Sequence, residues 1–279
     1  MTRPLALAYL TTEGAAPVEE IEAAATSGFA AVGLRFTPPK QQPLAYPVIG
    51  KRQAVRNIVN ASAATGVSIL DIELITLDEA FDVPAVIPLI DAAAGVGAQF
   101  IQVVCEDPEP ARSANNLAVL DTVAKQYGLR LSLEFMPFRA LRTISDAAAL
   151  INRSGASNTG ILIDVLHFHR SGGTVRDLEV IPREMIAYVQ LCDAPAQRPP
   201  DDRLLDEARN GRLYPGEGGL PLVKWLRALP TDLTFSLEVP HARHRYTSVG
   251  ERARRCARAM RAFLNSNSLD TDSIGKEIR

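Results

Sequence analysis

The sequence predicts a single (β/α)8 barrel, and three observations carry that prediction. Eight short apolar runs recur along the chain, longer segments with helical apolar stripes separate them, and glycines stand just ahead of the runs. The runs span 5–10, 30–36, 67–74, 100–105, 129–135, 159–164, 186–192 and 233–239. Each is apolar nearly throughout, as parallel strands covered on both faces must be. Eight such units favour a closed barrel over an open sheet. The 279 residues sit near the size of one such barrel, about 250.

The helices are taken in order. Segments 17–28, 51–66, 84–97 and 113–128 carry apolar stripes and end at Gly28, Gly66, Gly97 and Gly128. A helix end favours a residue that tolerates positive φ. Segment 145–155 repeats the pattern, with Ser145 as the expected N-cap. Segments 220–229 and 249–265 supply the last two helices. Residues 1–265 therefore read as one barrel domain, and 266–279 as a polar C-terminal tail. The stretch 193–219 is the longest connection read as non-helical, and long loops in compact domains are usually functional.

Composition narrows the function. The net charge of -2 gives no basic excess for nucleic acid. Arg252, Arg254, Arg255, Arg258 and Arg261 lie at helical spacing and read as a solvated helix face. The three cysteines are too few and too scattered for a disulfide framework. No run reaches the roughly 18 apolar residues of a membrane span. The expectation is a cytoplasmic protein with a small-molecule ligand.

Barrel chemistry lies at the C-terminal ends of the strands. Four consecutive runs carry a polar residue there: Glu134, Asp164, Gln190 (with Asp193 beyond it) and Glu238. A carboxylate inside an apolar strand is costly unless it is paired or bound to a metal. Three of them crowded at matching depth call for a cation. An oxygen-rich set suits Mn or Mg best, with Co or Zn as alternatives. Other residues placed at the mouth are Tyr9, Arg35, Glu73, Gln102 and Glu106. Arg35 could meet an anionic substrate, and Glu73 reads as buried and paired.

The fragments SLEF (132–135), GILIDVLHFHRSGG (160–173), YVQLCDAP (188–195), EARNGRLYPGEGGL (207–220) and SLEVP (236–240) occur in this order. In this order the chain resembles the xylose isomerase-like TIM barrels, the sugar phosphate isomerase/epimerase group. The resemblance covers nearly the whole barrel. It implies one divalent metal held by Glu134, Asp164, Gln190 and Glu238. Many members have His where this chain has Gln190; 3-dehydroshikimate dehydratases are among those with Gln. The resemblance also implies that His167 lies beside the metal and contacts substrate, and that Arg209 folds over the site to bind an anionic group. Arg212 stands in the same loop. Imidazole titrates near neutral pH, so His167 is a natural proton carrier, and a guanidinium pairs well with carboxylate or phosphate. His169 has the wrong spacing, and His241 and His244 fit an exposed basic turn as well as the mouth. The Pro215-Gly216-Glu217-Gly218 turn reads as structural.

The implied activity is a metal-dependent isomerase or epimerase acting on a small polyhydroxy keto or keto-acid substrate through an enediolate or enolate. Glu134, Glu238 and His167 would move the protons, and Arg209, Arg35 and His167 would hold an anionic substrate. The alternative is a 3-dehydroshikimate dehydratase-like lyase, in which a β-hydroxyl leaves after the same proton is removed. A third reading is an inactive barrel used as a binding subunit. A nuclease of the endonuclease IV branch would need many more than the four histidines present. Relatives often pair, so a homodimer is also expected.

Overall fold

The computed structural model describes residues 4–38 and 43–269. Part of the 37–50 loop, and all but the start of the C-terminal tail, lie outside the described residues. Eight parallel strands close into a barrel in chain order. They are β1 (Leu5–Leu7), β2 (Ala31–Arg35), β3 (Ser68–Leu77), β4 (Phe100–Cys105), β5 (Arg130–Glu134), β6 (Thr159–Asp164), β7 (Ile186–Leu191) and β8 (Phe235–Leu237). The last strand pairs with the first, Leu5 opposite Phe235. The helices are α1 (Tyr9–Thr12), α2 (Pro17–Ser27), α3 (Arg52–Thr65), α4 (Val83–Gly95), α5 (Pro110–Gln126), α6 (Ile144–Ser154), α7 (Val165–Arg170), α8 (Val175–Val180), α9 (Leu204–Asn210), α10 (Leu222–Ala228) and α11 (Val249–Ser266). Among the described residues no helix is long and apolar enough to cross a membrane.

Strand alternation divides the core in two. Outward residues such as Leu7, Val32, Ile101, Leu131 and Ile161 pack under the helices. Ala6, Ala31, Leu70, Phe100, Leu162 and Tyr188 form a separate cluster inside the barrel. Several of these stand near the starts of their strands, so this cluster plugs the N-terminal end and leaves the C-terminal end for polar groups. Gly28 and Gly155 take φ of 77° and 67° where α2 and α6 end, the left-handed conformation expected of helix-ending glycines.

The structure corrects three sequence expectations. Strand β1 stops at Leu7, because the next residues turn into α1 over the barrel top. There Thr11 Oγ1 donates to the Leu237 carbonyl at 2.7 Å and accepts from Val239 N at 2.8 Å, tying the turn to β8. The cap of α6 is Thr143, not Ser145. Thr143 Oγ1 accepts from Asp146 N at 3.1 Å while Asp146 accepts from Thr143 N at 2.9 Å, a reciprocal capping box. The connection 193–219 is not free of helix: it contains α9, which buries Leu204 and Ala208, four residues apart on one face.

Candidate metal centre and active site

The C-terminal ends of the strands open into a cavity of about 840 Å³, lined by Glu73, Gln102, Glu134, His167, Arg212 and Glu238 among others. Glu134 is the last residue of β5. Its Oε2 accepts from Gln102 Nε2 at 2.5 Å, and its Oε1 lies 3.7 Å from His167 Nε2. Asp164 ends β6 and caps α7. Its Oδ1 accepts from the backbone N–H groups of Leu166 and His167 at 2.8 and 3.0 Å. The sharp strand-to-helix turn at Asp164 thus brings His167 back toward the mouth. Gln190 Nε2 donates to Glu238 Oε1 at 2.9 Å.

Arg212 holds two of these carboxylates together. Its guanidinium is fully buried and reaches Asp164 Oδ2 at 2.5 Å and Glu238 Oε2 at 2.8 Å, while its Nε donates to the Ala208 carbonyl at 2.8 Å. Burial raises the pKa of Glu134 well above the usual carboxylate range, and the nearby Asp164 charge adds to it. Burial also pushes Glu238 up, against the pull of Arg212. Asp164 goes the other way: burial opposes its charge, but Arg212 and the His167 contacts hold it low. Burial depresses His167 to about 4, so its ring is neutral at pH 7.

Part of this donor set is compact enough for a divalent cation, and Glu238, engaged by Arg212 and Gln190, stands outside that compact group. Oxygen or nitrogen atoms of Glu134, Asp164 and His167 all lie within 4.8 Å of one another. Gln190 Oε1 is buried with no hydrogen-bond partner among the described residues, because its amide N–H faces Glu238. An acceptor left over in this way costs free energy unless something occupies it. Fully ionised, Glu134, Asp164 and Glu238 would bring three negative charges against one positive charge on Arg212, and a bound cation would favour those ionised forms against the burial that raises both glutamates.

The other sequence-predicted residues fall into place around this centre. Arg35 lies at the cavity wall, 3.2 Å from Glu73 Oε2, with its Nε on the Thr37 carbonyl. Glu73 is therefore buried and paired, and burial raises its pKa while Arg35 lowers it. Arg209 lines the cavity but is exposed, on the last turn of α9. Glu106 pairs with Arg139 at the rim. His169 packs beside Trp225, 5.4 Å between ring centres, and does not line the cavity. His241 and His244 stack with Tyr214, and the Tyr214 hydroxyl lies 3.1 Å from His244 Nδ1. Sequence reasoning named Arg212 without giving it a role and gave Gln102 only a general place at the mouth. No sequence signal set Arg212 apart; in the folded chain, bridges pin the loop on both sides of it (Gly211 to His241, Leu213 to Asp193).

Comparison with known proteins agrees with this architecture. A segment of 119 residues is 33% identical to a 3-dehydroshikimate dehydratase of Pseudomonas aeruginosa, covering 42% of this chain and 18% of that protein. A segment of 117 residues is 32% identical to an inosose isomerase of Halalkalibacterium halodurans, covering 41% of this chain and 40% of that one. The chain thus matches less than half the length of either curated relative. Among solved structures, an IOLI protein with a bound zinc atom superposes with a TM-score of 0.79 at 18% identity, over 96% of this chain and 99% of that one. A probable 3-dehydroshikimate dehydratase, AsbF of Bacillus anthracis, gives 0.73 at 15% identity, over 92% and 98%. The profile of the family described as xylose isomerase-like TIM barrel matches residues 21–265, and the chain belongs to that family.

Proposed function

We propose that this protein is a divalent-metal-dependent enzyme that moves a proton at a carbon beside a carbonyl in a small polyhydroxy keto or keto-acid substrate. The observation that carries this reading is the charge balance at the barrel mouth: three buried carboxylates against one buried arginine, with an unpartnered amide oxygen beside them. Glu134, Asp164, Gln190 and Glu238 would hold the metal; of these, Glu134 and Asp164 already converge with His167, while the Glu238 carboxylate is turned to Arg212 and Gln190. Mn or Mg is the first choice from the oxygen-rich set, and Co or Zn the second. When bound, the ion supplies a Lewis acid that polarises a substrate oxygen.

The chain's own residues do the rest. Glu134 and Glu238 project from β5 and the end of β8, so they approach a bound substrate from different sides. Each is a base for a carbon-bound proton. His167 is neutral and buried, so it would hydrogen-bond a substrate hydroxyl and take up its proton only as that proton leaves, handing the same proton back afterwards; the burial that keeps the ring neutral works against its holding the proton between the two steps. Gln102 fixes the Glu134 carboxylate through the 2.5 Å contact. Arg209 and Arg35 face the same cavity and suit an anionic group on the substrate.

Isomerase or epimerase chemistry is the first reading. A dehydratase is the second, favoured by Gln190 and by the similarity to a 3-dehydroshikimate dehydratase. The protein should be dialysed against EDTA, reloaded with Mn²⁺, and incubated in D₂O with inososes, ketohexoses and 3-dehydroshikimate. NMR should show deuterium entering next to the carbonyl only in the reloaded protein. New alkene signals would assign the dehydratase reading, and exchange without them the isomerase reading. Equal turnover in EDTA would defeat both.

A further inference from the structure

We propose that Asp193 is a positioning residue that keeps the Arg212 guanidinium between Asp164 and Glu238 by anchoring the loop that carries it. Asp193 lies two residues beyond β7 and is buried. Its carboxylate is used up by four backbone N–H groups. Oδ1 accepts from Ala194 at 2.9 Å and Leu220 at 3.1 Å, and Oδ2 accepts from Gly216 and Gly218, both at 3.0 Å. Its backbone pairs with Leu213 in both directions at 2.8 Å. One residue thus fixes both the position just after Arg212 and the turn that follows.

The chemistry requires a carboxylate. Four N–H donors converge on it, and only a charged group with two acceptor oxygens can receive them all. An asparagine would keep one oxygen and turn an NH₂ toward the donors of the other. The fit is tight from the opposite side as well: a Cβ on Gly218 would stand 2.4 Å from Asp193 Oδ1. No ion pair to Asp193 forms among the described residues, so these N–H groups are its partners. With the Gly211–His241 bridge on the other side, the backbone around Arg212 is held at both ends, and its long side chain is aimed rather than free.

The inference shares its site with the proposed function, but its first arm needs no metal. Asp193→Asn, Gly218→Ala, Arg212→Met and the double variant Asp193→Asn/Arg212→Met should be unfolded in urea with EDTA. If Asp193 acts through Arg212, the two substitutions overlap: their combined effect on the unfolding constant falls short of the product of the single effects by at least tenfold. A purely multiplicative result overturns the proposal. The second arm is calorimetric titration with Mn²⁺. Removing the Arg212 charge should tighten Mn²⁺ binding by about tenfold, through the lost repulsion between like charges. Asp193→Asn and Gly218→Ala should each tighten it at least threefold, and Asp193→Asn should leave it within twofold in the Arg212→Met background. Lowered stability with unmoved Mn²⁺ affinity in both single-loop variants also overturns the proposal. A wild-type protein that binds no Mn²⁺ counts against the metal reading alone, and the urea cycle then decides for Asp193.

Discussion

Burial inside the barrel pushes the Asp71 carboxyl up to about 8; the Glu73 charge adds to the rise and the Tyr188 hydroxyl opposes it. The group lies over Gly33, where a Cβ would meet its oxygens at 2.9 Å. An unfolded aspartate ionises near pH 3.9. Between about pH 4 and 8 the folded protein keeps a proton that the unfolded chain has released. Its contribution to stability is therefore fullest below pH 4 and is lost as pH rises toward 8, by about 1.4 kcal/mol per unit at most. Asp71→Asn should flatten the fall in urea midpoint from pH 5 to 8, and an unchanged slope would place the loss elsewhere. Arg212→Met leaves two buried carboxylates without their cation and should cost about 3–5 kcal/mol at pH 7 in EDTA. The buried place of Glu134, Asp164 and Glu238 at the C-terminal ends of their strands was legible in the sequence, because a carboxylate in an apolar run stands out against its neighbours. That of Arg212 was not, because an arginine in a long connection reads as exposed, and only the folded loop shows that its side chain is buried.

Helix α6 shows what a short motif is worth. Removing the Thr143 hydroxyl takes away one half of the reciprocal cap, so Thr143→Ala should lower stability by about 1 kcal/mol. Ser145→Ala should change it by less than half as much, and equal losses would mean that the cap is not the cause. The sequence placed this helix to within a residue or two at its start and end, yet picked the wrong cap, because Thr143 and Ser145 are both good capping residues and differ only in backbone conformation. The strands were read more securely, since two-sided burial leaves almost no polar residue in β4 or β6 except at the ends. Helix α9 escaped notice for the opposite reason. Its sequence, LLDEARN, is mostly polar, and two buried positions are too few to make a visible stripe.

For the molecule as a whole, the count of eight runs was enough to predict a closed barrel, although no local pattern in β1 or β8 says that they pair. The same closure makes the metal a test of global stability. An ion that binds only the folded state stabilises it by about 2.7 kcal/mol at a hundred times its dissociation constant. Mn²⁺ should accordingly raise the melting temperature of the EDTA-treated protein by several degrees, and Asp164→Asn or Glu134→Gln should abolish the rise. A rise that survives in both variants would locate the bound ion outside the barrel mouth.

The pairing of Leu5 with Phe235 has a temporal side. During synthesis β1 emerges before the other seven strands and must wait, with one row of backbone donors and acceptors unmatched, until β8 has followed. An unpaired strand edge on a nascent chain invites association with other chains. Chains interrupted before Phe235 would carry that edge permanently, so premature termination in this protein should yield aggregates rather than smaller working barrels.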